Sequence, residues 1–273
     1  MNGAFSYQNQ IKNHTMKRII PLMVMALLSV QTVSAQKDSE DFGLFDHVGI
    51  GVSLGTYGLG FDLAAPVTDY AALRAGVSFI PTISYKDDVN INDSNPLINS
   101  NIDIEGKLNT FDIKLLADAY PFKGSAFHFT AGVFFGKKEL ISVNNTSPII
   151  NDPSKYGKLG VKLGDYRIST DKNGNIQADV AINKVKPYLG LGFGRAVPKK
   201  SRVSVSCDLG VMFWGCPRLG AMTKDDWGNE TYHKFKSSEL DEYDDEDLKD
   251  GLETAEKIKV YPVLNIRISG RIF

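Results

Sequence analysis

Apolar and polar residues alternate strictly over several separate stretches of this chain. In Leu264–Phe273 (LNIRISGRIF), Leu264, Ile266, Ile268 and Ile272 fall on one parity, and Asn265, Arg267, Ser269 and Arg271 on the other. A period of two predicts a strand with one apolar and one polar face. The pattern reaches back through Pro262, Val260 and Ile258. A tilted strand needs about 9–11 residues to cross a bilayer, and this one is long enough.

Five more segments repeat the pattern. Tyr70–Tyr85 sets Ala71, Leu73, Ala75, Val77, Phe79 and Ile83 against Arg74, Gly76, Ser78 and Thr82. Thr110–Ala119 sets Phe111, Ile113, Leu115 and Ala117 against Asp112, Lys114 and Asp118. Phe127–Phe135, Val185–Phe193 and Val203–Trp214 behave alike, with His128, Lys186, Tyr188 and Asp208 on their polar sides. Near the start, His47–Leu54 and Leu59–Ala65 carry opposite parities on either side of GTYG (Gly55–Gly58). That switch is a tight hairpin or a bulge. The even strand number of single-chain bacterial barrels favours the hairpin and a total of eight.

An Arg or Lys facing lipid at mid-bilayer costs roughly 2–4 kcal/mol. Turning Arg74, Lys114, Lys186 and Arg267 outward would cost roughly 8–16 kcal/mol, as much as the whole of a typical net stability of about 5–15 kcal/mol. The apolar parity therefore faces out. The lumen is expected to be lined by Asp62, Arg74, Asp112, Lys114, Asp118, Lys186, Tyr188, Asp208 and Arg267. Short connections (Pro66–Asp69, Pro121–Ala126, Gly194–Arg202) alternate with long polar ones at about 86–101, 138–178 and 215–257. The expected fold is all-β: an eight-stranded antiparallel transmembrane up-and-down β-barrel with long extracellular loops, one of them partly helical.

The N-terminus carries an address. Lys17 and Arg18 precede the apolar run Ile19–Val30, followed by Val33-Ser34-Ala35. This is the layout of a secretory signal, with cleavage after Ala35 and Met16 as the working start. Residues 1–35 are then an extension and signal peptide, and residues 36–273 a single barrel domain in the cell outer membrane. The net charge of -1 and the lack of a basic stripe argue against nucleic acid as a partner. Cys207 falls mid-strand and Cys216 in the loop above it, too far apart for a disulfide, so both are expected as free thiols.

Some motifs invite other chemistry. The glycines of Gly49–Gly60 lack the G-x-G-x-x-G spacing and the strand–turn–helix context of a nucleotide loop, and read as small wall residues. Asp171–Asp179 resembles a calcium loop, but Ile176 and Ile182 occupy positions that need glycine and glutamate. Asn173-Gly174 reads as a hairpin tip instead, making that loop partly a β-arm. No metal or other cofactor is expected. Glu239–Lys257 is the one helical stretch, with the acids Asp241, Glu242, Asp244, Asp245, Glu246 and Asp247. They form either a solvated face or a lure for cations at the barrel mouth.

Together GTYGLGFDL, LRAGVSF, LLADAYPF, PYLGLGFGRAV, DLGVMFWGCPRLG, the acidic helix-like stretch and YPVLNIRIS resemble a family of small exported outer-membrane proteins that includes the CarO-like channels. The resemblance covers nearly all of the chain after the signal except the loops. It implies an eight-stranded barrel and, for CarO-like members, uptake of small basic amino acids. It carries over no catalytic motif, and this chain departs from it in its cysteines and loops. In such proteins a terminal aromatic is recognised by the barrel-assembly machinery. Phe273 fits that role but shares parity with Arg267 and Arg271, a mismatch that a slip near Gly270 would repair.

Three functions follow. The lumen charges form either a narrow path for small polar or basic solutes or a closed, salt-bridged plug. In the closed case the long loops do the binding, on a rigid scaffold. A lipid-modifying enzyme is the remote third. His128 and Thr130 are its only signal; His128 sits on the lumen parity, and no carboxylate partner can be assigned to it. The chain is expected not to be an enzyme. The expected partners are outer-membrane lipid, small polar solutes and the assembly machinery.

Overall fold

The computed structural model describes residues 47–90, 99, 101–156, 160–163, 166–199, 201–224, 230–236, 238 and 246–272. The signal segment, its cleavage point and Phe273 lie outside these residues. The strands are β1 (Gly49–Gly55), β2 (Gly58–Thr68), β3 (Ala71–Asn90), β4 (Asn101–Ala119), β5 (Phe127–Gly136), β6 (Glu139–Asn145), β7 (Gly160–Leu163) and β8 (Tyr166–Ser169). They continue with β9 (Gln177–Ala181), β10 (Val185–Phe193), β11 (Val203–Phe213), β12 (Arg218–Lys224), β13 (Glu230–Phe235) and β14 (Val260–Arg271); the helix α1 (Glu246–Lys257) precedes β14.

Eight of these strands close on themselves in the order β1, β2, β3, β4, β5, β10, β11, β14 and back to β1. Every pairing is antiparallel. Each strand turns its apolar parity outward. Val52, Phe61, Leu73, Ile113, Phe129, Leu189, Leu209 and Leu264, one from each wall strand, are 40–60% exposed. A soluble monomer rarely shows a continuous apolar patch beyond a few hundred Å². A belt running around the whole barrel is the surface of a barrel that sits in lipid. β11, at about 3.3 Å per residue and a tilt of about 40°, rises roughly 25 Å, the height of such a belt. Tyr70 and Phe122 are exposed at the short-turn end, where interfacial aromatics belong.

The parity switch near the start is a hairpin. Gly55 pairs with Gly58 across a Thr56-Tyr57 tip. Gly58 has φ +86°, and a Cβ there would lie 2.2 Å from the Phe79 carbonyl oxygen, so glycine is required. The last strand starts at Val260 rather than Ile258, because α1 runs to Lys257 and leaves two residues as a link. The register passes through Gly270 without the slip considered above.

The long connections are the main correction: they are largely β-structure. β3 and β4 stay paired past a register shift between Ile80 and Ile83, out to Asn90 opposite Asn101. β6 then continues on β4 where β5 leaves off, β9 pairs with β6, β12 with β9, and β13 with β12. The upper order β3-β4-β6-β9-β12 repeats the wall order β3-β4-β5-β10-β11. The barrel wall is therefore raised on one side as an open sheet, whereas β1, β2 and β14 stop at the rim. The physical reason is backbone satisfaction: chain leaving β3, β5 and β11, and chain entering β4 and β10, finds its hydrogen-bond partners by continuing the ladder. Ile168, Ala221 and Phe235 form a small apolar core on this outer sheet.

Asp171–Asn175 is a tight turn. The Asp171 carboxylate accepts from the Asn173 and Asn175 N–H groups, both at 2.8 Å, and Gly174 takes φ +79°. It is not a hairpin tip, since β8 and β9 both lie along β12 and not on each other. Cys207 and Cys216 are unbridged.

Candidate functional site

The lumen holds the charged residues that the alternation places there. Asp62, Arg74, Asp112, Lys114, Asp118, Lys186, Tyr188, Asp208 and Arg267 are all buried. Three linked groups organise them. Near the short-turn end, Arg267 donates from Nε and Nη2 to Asp62 Oδ1 at 2.8 and 2.6 Å, and Lys114 Nζ lies 3.2 Å from Asp62 Oδ2. In a second group, Arg74 bridges Asp118 Oδ1 at 2.7 Å and Asp208 Oδ2 at 3.1 Å. Thr130 donates to the same Asp118 oxygen at 2.8 Å. Toward the long-loop end, Lys186 Nζ and the Tyr57 hydroxyl each donate to Asp112 at 2.5 Å.

Inward glycines make this packing possible. Gly192 is opposite His128 on one side and Asp208 on the other. A Cβ at 192 would lie 2.3 Å from His128 Nε2 and 2.4 Å from Asp208 Oδ1, so the bare backbone lets the two meet across it. Gly76 stands likewise between Asp62 and Lys114. Gly51 leaves room for the Arg267 guanidinium, which a Cβ would approach to 2.4 Å. The glycines of the wall are thus the complement of long lumen side chains.

Both ends of the lumen are filled. At the long-loop end, Tyr57, Phe134, Tyr188, Met212, Leu116 and Val263 pack into one apolar cluster. Tyr57 and Phe134 meet edge to face at 5.8 Å, and Phe134 and Tyr188 at 5.7 Å. At the other end, Gly194–Arg202 is more than a turn. Its Ala196 and Val197 tuck against Ala64, Ala72 and Tyr120. The Ala196 N–H donates to the Tyr120 hydroxyl at 2.9 Å, and Arg267 Nη1 donates to the Ala196 carbonyl at 2.9 Å. Arg195 lies over the Tyr120 ring at 4.5 Å. Between the two plugs is a cavity of about 30 Å³, bordered by Arg74, Ser78, Lys114, Asp208 and Asn265. That is room for one or two waters.

Several participants escaped sequence reasoning. Tyr57 was only a turn residue, and Ala196-Val197 only an apolar pair inside a basic turn. His128, to which the sequence assigns no carboxylate partner, has one in the structure: its Nε2 lies 2.8 Å from Asp208 Oδ1. The pair faces the lumen and not lipid. Gly192 opposite both residues was the signal. Of the acidic cluster, Asp241, Glu242, Asp244 and Asp245 lie outside the described residues, and Glu246 and Asp247 open α1. Among the described residues, no three His, Cys, Asp or Glu side chains converge as a metal site.

No protein-family model matches the chain, and no curated protein does. Among solved structures it is similar to Acinetobacter baumannii CarO, at 18% identity and a TM-score of 0.47, over 84% of this chain and 99% of that one. It is also similar to A. baumannii CarO2 (19% identity, TM-score 0.45, 85% and 99% covered). A third is a major outer membrane protein from Thermus thermophilus (17% identity, TM-score 0.37, 83% and 98% covered). The eight-stranded closure itself stands on the register described above.

Among the described residues of the outer sheet, Asp179 is a buried acid. The Asp179 carboxylate accepts from the Tyr232 hydroxyl at 2.5 Å. Burial pushes its pKa above the ordinary carboxylate value and nearby Glu139 adds to the rise, while the Tyr232 bond opposes it. An acid whose folded pKa is raised binds its proton more tightly when folded. Its contribution therefore falls as pH climbs from the unfolded pKa through the folded one, and the cost is fully present above the latter. Asp179→Asn is expected to stabilise the outer sheet at pH 7 and to flatten its pH dependence. Limited proteolysis across residues 139–235 between pH 4 and pH 8 measures this. Equal cleavage of variant and wild type at pH 7 would count against it.

Proposed function

We propose that the protein is an outer-membrane barrel with a closed lumen, and that its working surface is the raised outer sheet. The observation that supports this is the double plug, with Tyr57, Phe134 and Tyr188 at one end and Ala196 and Val197 at the other. An open path would have to displace both and break the Arg74 ion pairs with Asp118 and Asp208. The raised wall offers a broad, rigid strand surface outside the lipid belt, where binding residues can be held in place. Outer-membrane lipid surrounds the belt, the barrel-assembly machinery inserts it, and the chain uses no cofactor and performs no catalysis.

The central cavity favours a second reading, a narrow channel for small polar or basic solutes. Arg74, Lys114 and Asp208 border that cavity and would form its charged constriction. Planar-bilayer conductance of the refolded mature chain separates the two readings. A silent, fully folded barrel is expected. Reproducible current steps that shift with lysine against glutamate as solute would overturn the closed reading in favour of the channel.

A further inference from the structure

We propose that the central lumen cavity binds one small inorganic anion of the halide class, held by Lys114 and Arg74. The charges inside the described lumen do not balance. Arg74, Lys114, Lys186 and Arg267 face the carboxylates of Asp62, Asp112, Asp118 and Asp208. His128 adds a fifth positive charge. Its Nε2 lies 2.8 Å from Asp208 Oδ1, and its Nδ1 lies 3.2 Å from the Ala126 carbonyl oxygen. Both neighbours accept, so the doubly protonated ring is the form that satisfies both contacts and is counted as an imidazolium.

The surplus has an address. Lys186 has Asp112 to itself. Arg74 and His128 share Asp118 and Asp208. Asp62 alone serves both Arg267 and Lys114. A buried charge without compensation is costly, so a counter-charge beside Lys114 is favoured.

The donor count points to the same place. An ammonium has three N–H donors. Lys114 Nζ hydrogen-bonds Ser53 Oγ at 3.5 Å, and Asp62 Oδ2 lies 3.2 Å away as an ion contact without accepting a hydrogen bond, so the ammonium keeps donors over. Arg74 is 3% exposed, yet its Nε–H has no acceptor. Both residues border the cavity, together with Ser78, Tyr57 and Asn265. Asp208 borders it too, but its two oxygens are already engaged by Arg74 and His128. The cavity is small, about 30 Å³, which favours an ion little larger than water. Water is the competing occupant. The inference rests on the closed lumen and is independent of what the outer sheet binds.

Bromide is the probe. Crystals of the purified full chain are grown in sodium bromide and measured at the bromine absorption edge. The expected result is one anomalous peak in the cavity against Lys114 Nζ. It should be lost in Lys114→Met, which leaves four positive and four negative lumen groups and keeps Asp62 paired with Arg267. No peak in the wild type at saturating bromide overturns the proposal and assigns the cavity to water. A full-height peak that persists in Lys114→Met overturns the assignment of Lys114.

Discussion

Arg267→Met is expected to destabilise the barrel by roughly 3–5 kcal/mol, the cost of breaking a buried ion pair from one side. Arg267 is fully buried. It gives two hydrogen bonds to Asp62 and one to the Ala196 carbonyl. Methionine fills much of the volume but supplies none of the three. Asp62 is left to Lys114 alone, and the Ala196 plug loses its tie to the wall. Urea titration of the folded band by heat-modifiable gel mobility reads the effect. A midpoint equal to the wild type would mean that the pair does not hold the lumen together.

Ile113→Lys should cost roughly 2–4 kcal/mol of folding stability in lipid, the cost of a lysine near mid-bilayer on the outer face of a barrel. Ile113 is 56% exposed and sits between Val77 and Phe135 on the belt. Its neighbour Lys114 is already a lysine, tolerated because it points the other way and reaches Asp62. Two adjacent positions thus have opposite rules, set only by the pleat. Refolding into phosphatidylcholine vesicles over a urea series measures the loss. An unchanged titration would place Ile113 away from lipid and contradict the assigned faces.

The wall was legible because each strand meets two solvents, and alternation records both. Arg74, Lys114, Lys186 and Arg267 identified the inner face by charge alone. The raised sheet was not legible for the converse reason. Ser84–Asp88 is exposed on both faces of β3, so no period of two is imposed on it. Pairing partners inside the lumen also escaped, since His128 and Asp208 are far apart in the chain. They meet only because β10 places Gly192 between them. The plug was hidden for another reason: an apolar pair in a turn, Ala196-Val197, has no periodicity to announce which way it folds.

Thiol accessibility at Ser78 tests the closed lumen most directly. Ser78 is buried and borders the central cavity, and cysteine is close to it in size. In a Cys207→Ala, Cys216→Ala background, Ser78→Cys would be the single thiol. A small water-soluble methanethiosulfonate reagent is added from both sides of the barrel reconstituted in vesicles. No modification is expected while the barrel is folded, and full modification once it is boiled in urea. Rapid modification of the folded barrel would contradict the closed lumen, because water and solute would then pass a plug that is supposed to be shut.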